Sequence, residues 1–299
     1  MPVLQDIFTD QLVLQTGSAR VKRAFSSFIG IDLGGGRGKT TALAEVRSGS
    51  AGAEVIEVAT RSARLAWTDD TLIQRLAESH PERVIAIDAP LTKAACGRCE
   101  RPVCPGMEAC TDPAVVWLRT TGRALVQGVA ENTVGGGSRS QHTAQARLAP
   151  YAHRATEVVM TYQRDLLPLS TLGGSNGTIA ARAGQLRRRL RGSGYQLHHN
   201  LLEVAPAATI AALCGPRLAR GYKRDADPWR TRAVILESFK DLTFAPQSRM
   251  AREEVLRNDH CFDALIAAYT AYLWARDGWE RPGGVFDEDG WITAPPRSP

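Results

Sequence analysis

Residues 83–110 read RVIAIDAPLTKAACGRCERPVCPGMEAC, and this stretch constrains the chain more than any other. Residues 83–88 form an apolar, β-branched run that stops on one carboxylate, Asp88, and Pro90 then removes a ladder donor. An acid at a strand end suits a hard cation such as Mg2+. Four cysteines follow within fifteen residues, Cys96, Cys99, Cys104 and Cys110, spaced C-x2-C-x4-C-x5-C. A C-x-x-C pair grips one metal ion or one cluster edge, and four thiolates complete either site. The uneven spacing and the Cys104-Pro105 step lean toward a [4Fe–4S] cluster, with Zn2+ as the alternative. Four thiolates leave no open position for substrate, so the expected role is structural. The loop is too polar and turn-rich (Arg98, Glu100, Arg101, Pro102) to be core, whereas Cys214 and Cys261 fall in helical patterns and read as core.

Composition excludes several classes. The chain has 299 residues, 43% apolar and 23% charged, which is globular and long enough for a sizeable core. Bunched cysteines do not make a secreted disulfide framework. Residues 1–25 lack the apolar segment of a signal peptide, and no window approaches the roughly 20 apolar residues of a membrane span. A soluble, cytoplasmic protein without a membrane partner is expected. Lys plus Arg is 37 and Asp plus Glu 31, a net charge of +6 that is compatible with a polyanionic partner. Five arginines crowd residues 182–191 (RAGQLRRRLR), which read as a solvated helix face or as phosphate contacts.

The pattern is that of an α/β chain. Residues 26–33 (SSFIGIDL), 40–47, 53–59, 83–88 and 200–205 read as five strands of a mixed sheet, beginning as an antiparallel meander. Helices are predicted near 68–79, 115–130, 151–166, 178–191, 206–214, 228–240 and 259–276. The expected organisation is a loose extension over 1–25, one domain over 26–277, and an irregular tail over 278–299. Within the domain lie the cysteine loop (94–112) and an insertion (113–150), with glycine-rich loops at 134–140 and 171–177.

In open α/β sheets, ligands gather at the carboxyl ends of strands. Three of these strands end on or near an acid: Asp32, Asp88 and Glu203. The last helix adds Asp259, His260 and Asp263, and Asp263 sits in an apolar stripe with Leu265, Ile266 and Tyr269. Converging carboxylates would hold one or two Mg2+ or Mn2+ ions, the arrangement that activates water against a phosphodiester. His260 could orient or relay a proton, and Asp259 is the substitute if Asp263 faces away. Arg154, Lys223 and the arginines from Arg187 and Arg188 onward are candidate phosphate contacts.

GIDLGG, IDAPL, Arg154 with Glu157 on a helix, EVAPAAT and DALIAAYTA, in this order over roughly 28–275, resemble the domain of unknown function 429 family, described as predicted nucleases with an RNase H-like fold. The resemblance implies an RNase H-like sheet, here with an inserted four-cysteine metal-binding loop, and nuclease activity on DNA or RNA. It places Asp32 on the first strand, Asp88 on the fourth, Glu203 on the fifth and Asp263 on the final helix. The arrangement is also similar to that of Holliday-junction resolvases. The sequence departs from the pattern at Ala205, usually aromatic, and in a longer segment before Tyr151.

Residues 34–41 (GGGRGKTT) miss the P-loop pattern because Leu33 replaces its first glycine, and Lys39 leads into a strand rather than a helix. The strand–Asp–Gly hairpin is similar to that of sugar kinases and actin, which makes an ATP-hydrolysing protein the alternative. A non-catalytic nucleic-acid-binding protein is a third reading.

Overall fold

The computed structural model describes residues 22–35, 39–77, 82–133, 147–169, 176–246, 248 and 252–296. Most of the N-terminal extension, the glycine-rich loop at 134–140, residues 171–175 and Gly36–Gly38 of the glycine turn lie outside the described residues.

Seven strands make the main sheet: β1 (Ser27–Asp32), β2 (Ala42–Gly49), β3 (Gly52–Ala59), β4 (Arg83–Asp88), β5 (Leu201–Val204), β6 (Leu242–Phe244) and β7 (Ile292–Thr293). Their spatial order is β6-β3-β2-β1-β4-β5-β7. The first three pair antiparallel, and β1, β4, β5 and β7 run parallel. The expected mixed sheet is present, but with seven strands rather than five. The two additions are edge strands of three and two residues. Segments so short carry no alternation, and only their partners make them strands. The second of them lies in the 278–299 segment expected to be irregular, where Phe286, Trp291, Ile292 and Ala294 are buried.

Twelve α-helical segments accompany the sheet in the described residues: α1 (Asp69–Ala77), α2 (Ala95–Arg98), α3 (Pro113–Trp117), α4 (Arg123–Thr133), α5 (Ala155–Val158), α6 (Asn176–Gly192), α7 (Pro206–Cys214), α8 (Pro216–Gly221), α9 (Pro228–Ser238), α10 (Arg252–Arg257), α11 (Asp259–Asp277) and α12 (Phe286–Asp289). Alternation sorts the strands between two faces. Phe28, Ala44, Val46, Val84 and Ala86 pack under α11, while Ile29, Ile31, Ile85 and Ile87 pack under α1 and α6. Every residue of α11 from Cys261 to Ala275 is buried, so this helix is apolar on nearly all sides. Each fully buried Leu, Ile or Phe adds about 1.5–3 kcal/mol. Asn258 caps the start of α11 by accepting from His260 N and Cys261 N, and Gly278 ends it in the left-handed conformation. At the N-terminal edge, Arg23 lies over the Trp274 ring at 4.0 Å and bonds its carbonyl. No helix among the described residues is long and apolar enough to cross a membrane.

Gly30 lets α11 lie directly on β1. A Cβ there would fall 2.0 Å from the Ala264 carbonyl oxygen and 2.3 Å from Ala268 N. Both are helix backbone and cannot rotate away. Gly30→Ala is therefore expected to cost about 3 kcal/mol, read as a lower thermal unfolding midpoint. An unchanged midpoint would mean that this close approach does not exist.

Candidate metal centre

Strand register builds the site. In the parallel β1–β4 pair, Asp32 and Asp88 are register partners at the carboxyl ends of adjacent central strands. Both point to the α11 face, with Phe28 and Ala86. Asp263, in the second turn of α11, is brought over them by the contact at Gly30. One carboxylate oxygen from each of Asp32, Asp88 and Asp263 lies within 4.8 Å of the others, the one such group of metal-ligating atoms among the described residues. Asp263 faces inward, so Asp259 is not needed in its place.

The electrostatics are those of a site short of positive charge. Burial raises the Asp88 pKa well above the usual carboxylate range, and the charges of Asp263 and Asp32 raise it further. Burial likewise raises Asp263, against the pull of Lys223. Lys223 is in ion-pair contact with Asp263 Oδ2, and Lys223 and Tyr222 both pull against the effect of burial on the Asp263 carboxyl. Burial opposes the Lys223 charge, yet Asp263 and Asp88 hold its pKa above normal. Beside it, burial and then the fields of Asp263 and Asp88 raise the Tyr222 phenol. His260 Nδ1 meets Asp32 Oδ2 at 2.5 Å, and this bond raises the imidazole pKa. Lys223 and His260 are each 42% exposed at the side chain, so the site opens to solvent on their side.

Glu203 does not join these acids. Its register partner is Ile87, one residue before Asp88. Alternation therefore turns Glu203 to the opposite face of the sheet. There Arg154 grips it by two bonds, Nη2 to Oε1 at 2.6 Å and Nη1 to Oε2 at 2.9 Å. Glu203 Oε2 also accepts from Leu91 N at 2.8 Å. Arg154 is 1% exposed and bonded to Glu157 and Thr92 as well, so it is a structural cation and cannot meet a phosphate. Arg187 is half-buried and donates to the Leu91 carbonyl, whereas Arg188 is exposed.

Cys96, Cys99 and Cys104 are exposed, Cys110 is half-buried, and all four are free thiols. Burial raises the Cys96 pKa first, and the other three thiols add to it, so the four are gathered within electrostatic reach. Yet no three of them approach within 4.8 Å of one another. Ligands each about 2.3 Å from one Zn2+ lie at most about 4.6 Å apart. A single-ion Zn2+ site is thus not preformed, and one such ion would have to draw the loop in, whereas a cluster binds each thiolate on a different iron and sets no such limit.

Sequence reasoning passed over Tyr222, Thr92 and Asp289. Asp289 is fully buried and sits in the segment read as tail. Only the apolar pair Trp291 and Ile292 signalled packing there.

The glycine turn adds Arg182, which binds the Gly34 carbonyl, Thr41 Oγ1 and Asp69. Comparison with curated proteins gave no match, and comparison with solved structures gave none. A family model described as "Protein of unknown function (DUF429)" matches residues 30–286, most of the chain and every acid discussed above except Asp289, and the protein belongs to that family.

Proposed function

We propose that the protein is a metal-dependent nuclease of RNase H-like fold, hydrolysing phosphodiester bonds of DNA or RNA at Asp32, Asp88 and Asp263. The observation that carries this reading is the convergence of three carboxylates, two of them pushed toward protonation, around too little positive charge. A divalent Mg2+ or Mn2+ fits such all-oxygen ligands at the mouth of a central strand pair. When bound there, it would supply a Lewis acid and a more acidic water.

The chain's own groups do the rest. His260, oriented by Asp32 and partly exposed, holds a proton at the rim. Lys223 shares Asp263 with any bound ion and offers its ammonium to a phosphate oxygen. The exposed arginines of α6, Arg188 among them, and the net charge of +6 favour a polyanion. The antiparallel meander followed by parallel strands supports the RNase H-like assignment. In this reading the four cysteines hold a structural [4Fe–4S] cluster or Zn2+ on the adjoining loop.

Purified protein with Mn2+ is expected to cleave at least one member of a panel of single- and double-stranded DNA, RNA and hybrid. Cleavage should be lost in chelator. A panel left intact while ATP is hydrolysed would instead establish the kinase-like alternative.

A further inference from the structure

Arg98 lies between Cys96 and Cys99, the C-x-x-C pair. Its guanidinium Nη1 donates to Asp289 Oδ1 at 2.8 Å and to the Lys93 carbonyl at 2.9 Å. Asp289 is 0% exposed, so Arg98 is the charge that accompanies it into the interior. The other Asp289 oxygen accepts from Ala155 N at 2.5 Å, which fixes the start of α5 immediately after Arg154. The Asp289 carbonyl accepts from Thr92 Oγ1 at 2.7 Å, and Thr92 Oγ1 accepts from Arg154 Nη1 at 2.7 Å. Arg154 holds Glu203, and Glu203 holds Leu91 N. Leu91 is three residues beyond Asp88.

The result is an unbroken polar chain from the thiol loop to the segment leaving the acid centre. Each interior link is buried, so a partner lost from the chain is costly to leave unreplaced. At the loop end the chain depends on Arg98, whose side chain is 24% exposed and borne by a segment rich in exposed thiols. The segment is otherwise anchored by Cys96 N on the Pro150 carbonyl and by Arg119 on the Met107 and Cys110 carbonyls. A thiophilic metal drawing the four sulfurs together would fix the peptide that carries Arg98.

We infer that the four-cysteine loop is a soft-metal site whose closure fixes Arg98, and that Arg98, through Asp289, Arg154 and Glu203, positions the strand end carrying Asp88 for its divalent ion. Arg98 is a positioning residue in this scheme and touches neither metal. The inference rests on the acid centre being a divalent-ion site, and it assigns the thiol loop control over that site's affinity.

The test measures Mn2+ binding at the acid centre by electron paramagnetic resonance, with no substrate and no turnover. The wild type is first loaded with Co2+ at the thiols, where sulfur-to-cobalt charge-transfer absorption reports thiolate ligation. Compared with it are Arg98→Ala, Arg98→Lys and the double variant Cys96→Ser/Cys99→Ser. Arg98→Ala is expected to keep the cobalt–thiolate absorption and bind Mn2+ roughly tenfold more weakly, the usual cost of losing an outer support of a metal site. Arg98→Lys retains a cation and should recover part of that loss. The double variant should lose both the absorption and the Mn2+ affinity. Mn2+ affinity unchanged in Arg98→Ala would overturn the inference while leaving the acid centre intact. Absence of cobalt–thiolate absorption in the wild type would overturn it at the loop. Failure of the wild type to bind Mn2+ at all would overturn it together with the proposed function.

Discussion

Asp88→Asn is expected to abolish metal-dependent cleavage and at the same time to stabilise the ion-free protein. Asp88 is half-buried beside two other carboxylates, and its charge is disfavoured by desolvation, by Asp263 and by Asp32, in that order. The amide keeps the shape and removes the charge. Losing a direct ligand should cost more than the 10–100-fold that loss of an outer support costs, so cleavage should fall by more than about 100-fold. The ion's own contribution should vanish too. A ligand at about 100 times its Kd stabilises a protein by about 2.7 kcal/mol, and the Asp88→Asn protein should show little of that gain with Mn2+.

The pH dependence has a definite sign. Because the folded pKa of Asp88 lies above its unfolded value, its contribution to stability is fully present below the ordinary carboxylate pKa of about 4. It is lost as pH rises through the raised folded value. Thermal unfolding of ion-free wild type should therefore weaken over that rise, and the Asp88→Asn variant should weaken less. Saturating Mn2+ should offset the wild-type loss. A variant with the same pH slope as wild type, or the same response to Mn2+, would show that Asp88 is not part of a strained ion site.

Arg154→Ala is expected to destabilise the fold by about 3–5 kcal/mol, the cost of breaking a buried ion pair from one side. Glu203 and Glu157 would remain at 3% and 6% exposure with no cation between them. Burial already outweighs Arg154 at Glu157 and leaves that carboxyl's pKa raised, so removing the guanidinium makes it harder still to ionise. Denaturant unfolding measures the loss. Replacing Arg154 by Met together with Glu203 and Glu157 by Gln should recover much of it, because no charge is orphaned and an amide oxygen at 203 can still accept from Leu91 N. A loss below about 1 kcal/mol in Arg154→Ala would mean that the network is solvated and not structural.

Much of this molecule was legible locally. Strands β1 to β5 announced themselves through alternation and Pro or Gly breaks, and α11 through a long apolar run. Asp32, Asp88 and Asp263 were visible as acids placed at the ends of such elements, where a solvated carboxylate has little reason to sit among apolar neighbours. Glu203 looked the same by this criterion, yet it belongs elsewhere. Strand position alone does not say which face a residue takes; that follows from pairing register, and one residue of offset between Glu203 and Asp88 reverses it.

The sequence by itself determined an α/β chain, a set of candidate acids and a clustered set of thiols, because period, breaks and spacing are local properties. Only the tertiary structure decided which three acids converge, that Arg154 is enclosed by carboxylates rather than offered to phosphate, and that the segment around Asp289 is core. Those outcomes depend on pairing between residues as far apart as Thr92 and Asp289, or Asp32 and His260. Burial, desolvation and register are set by the whole fold, and no short stretch of sequence carries them.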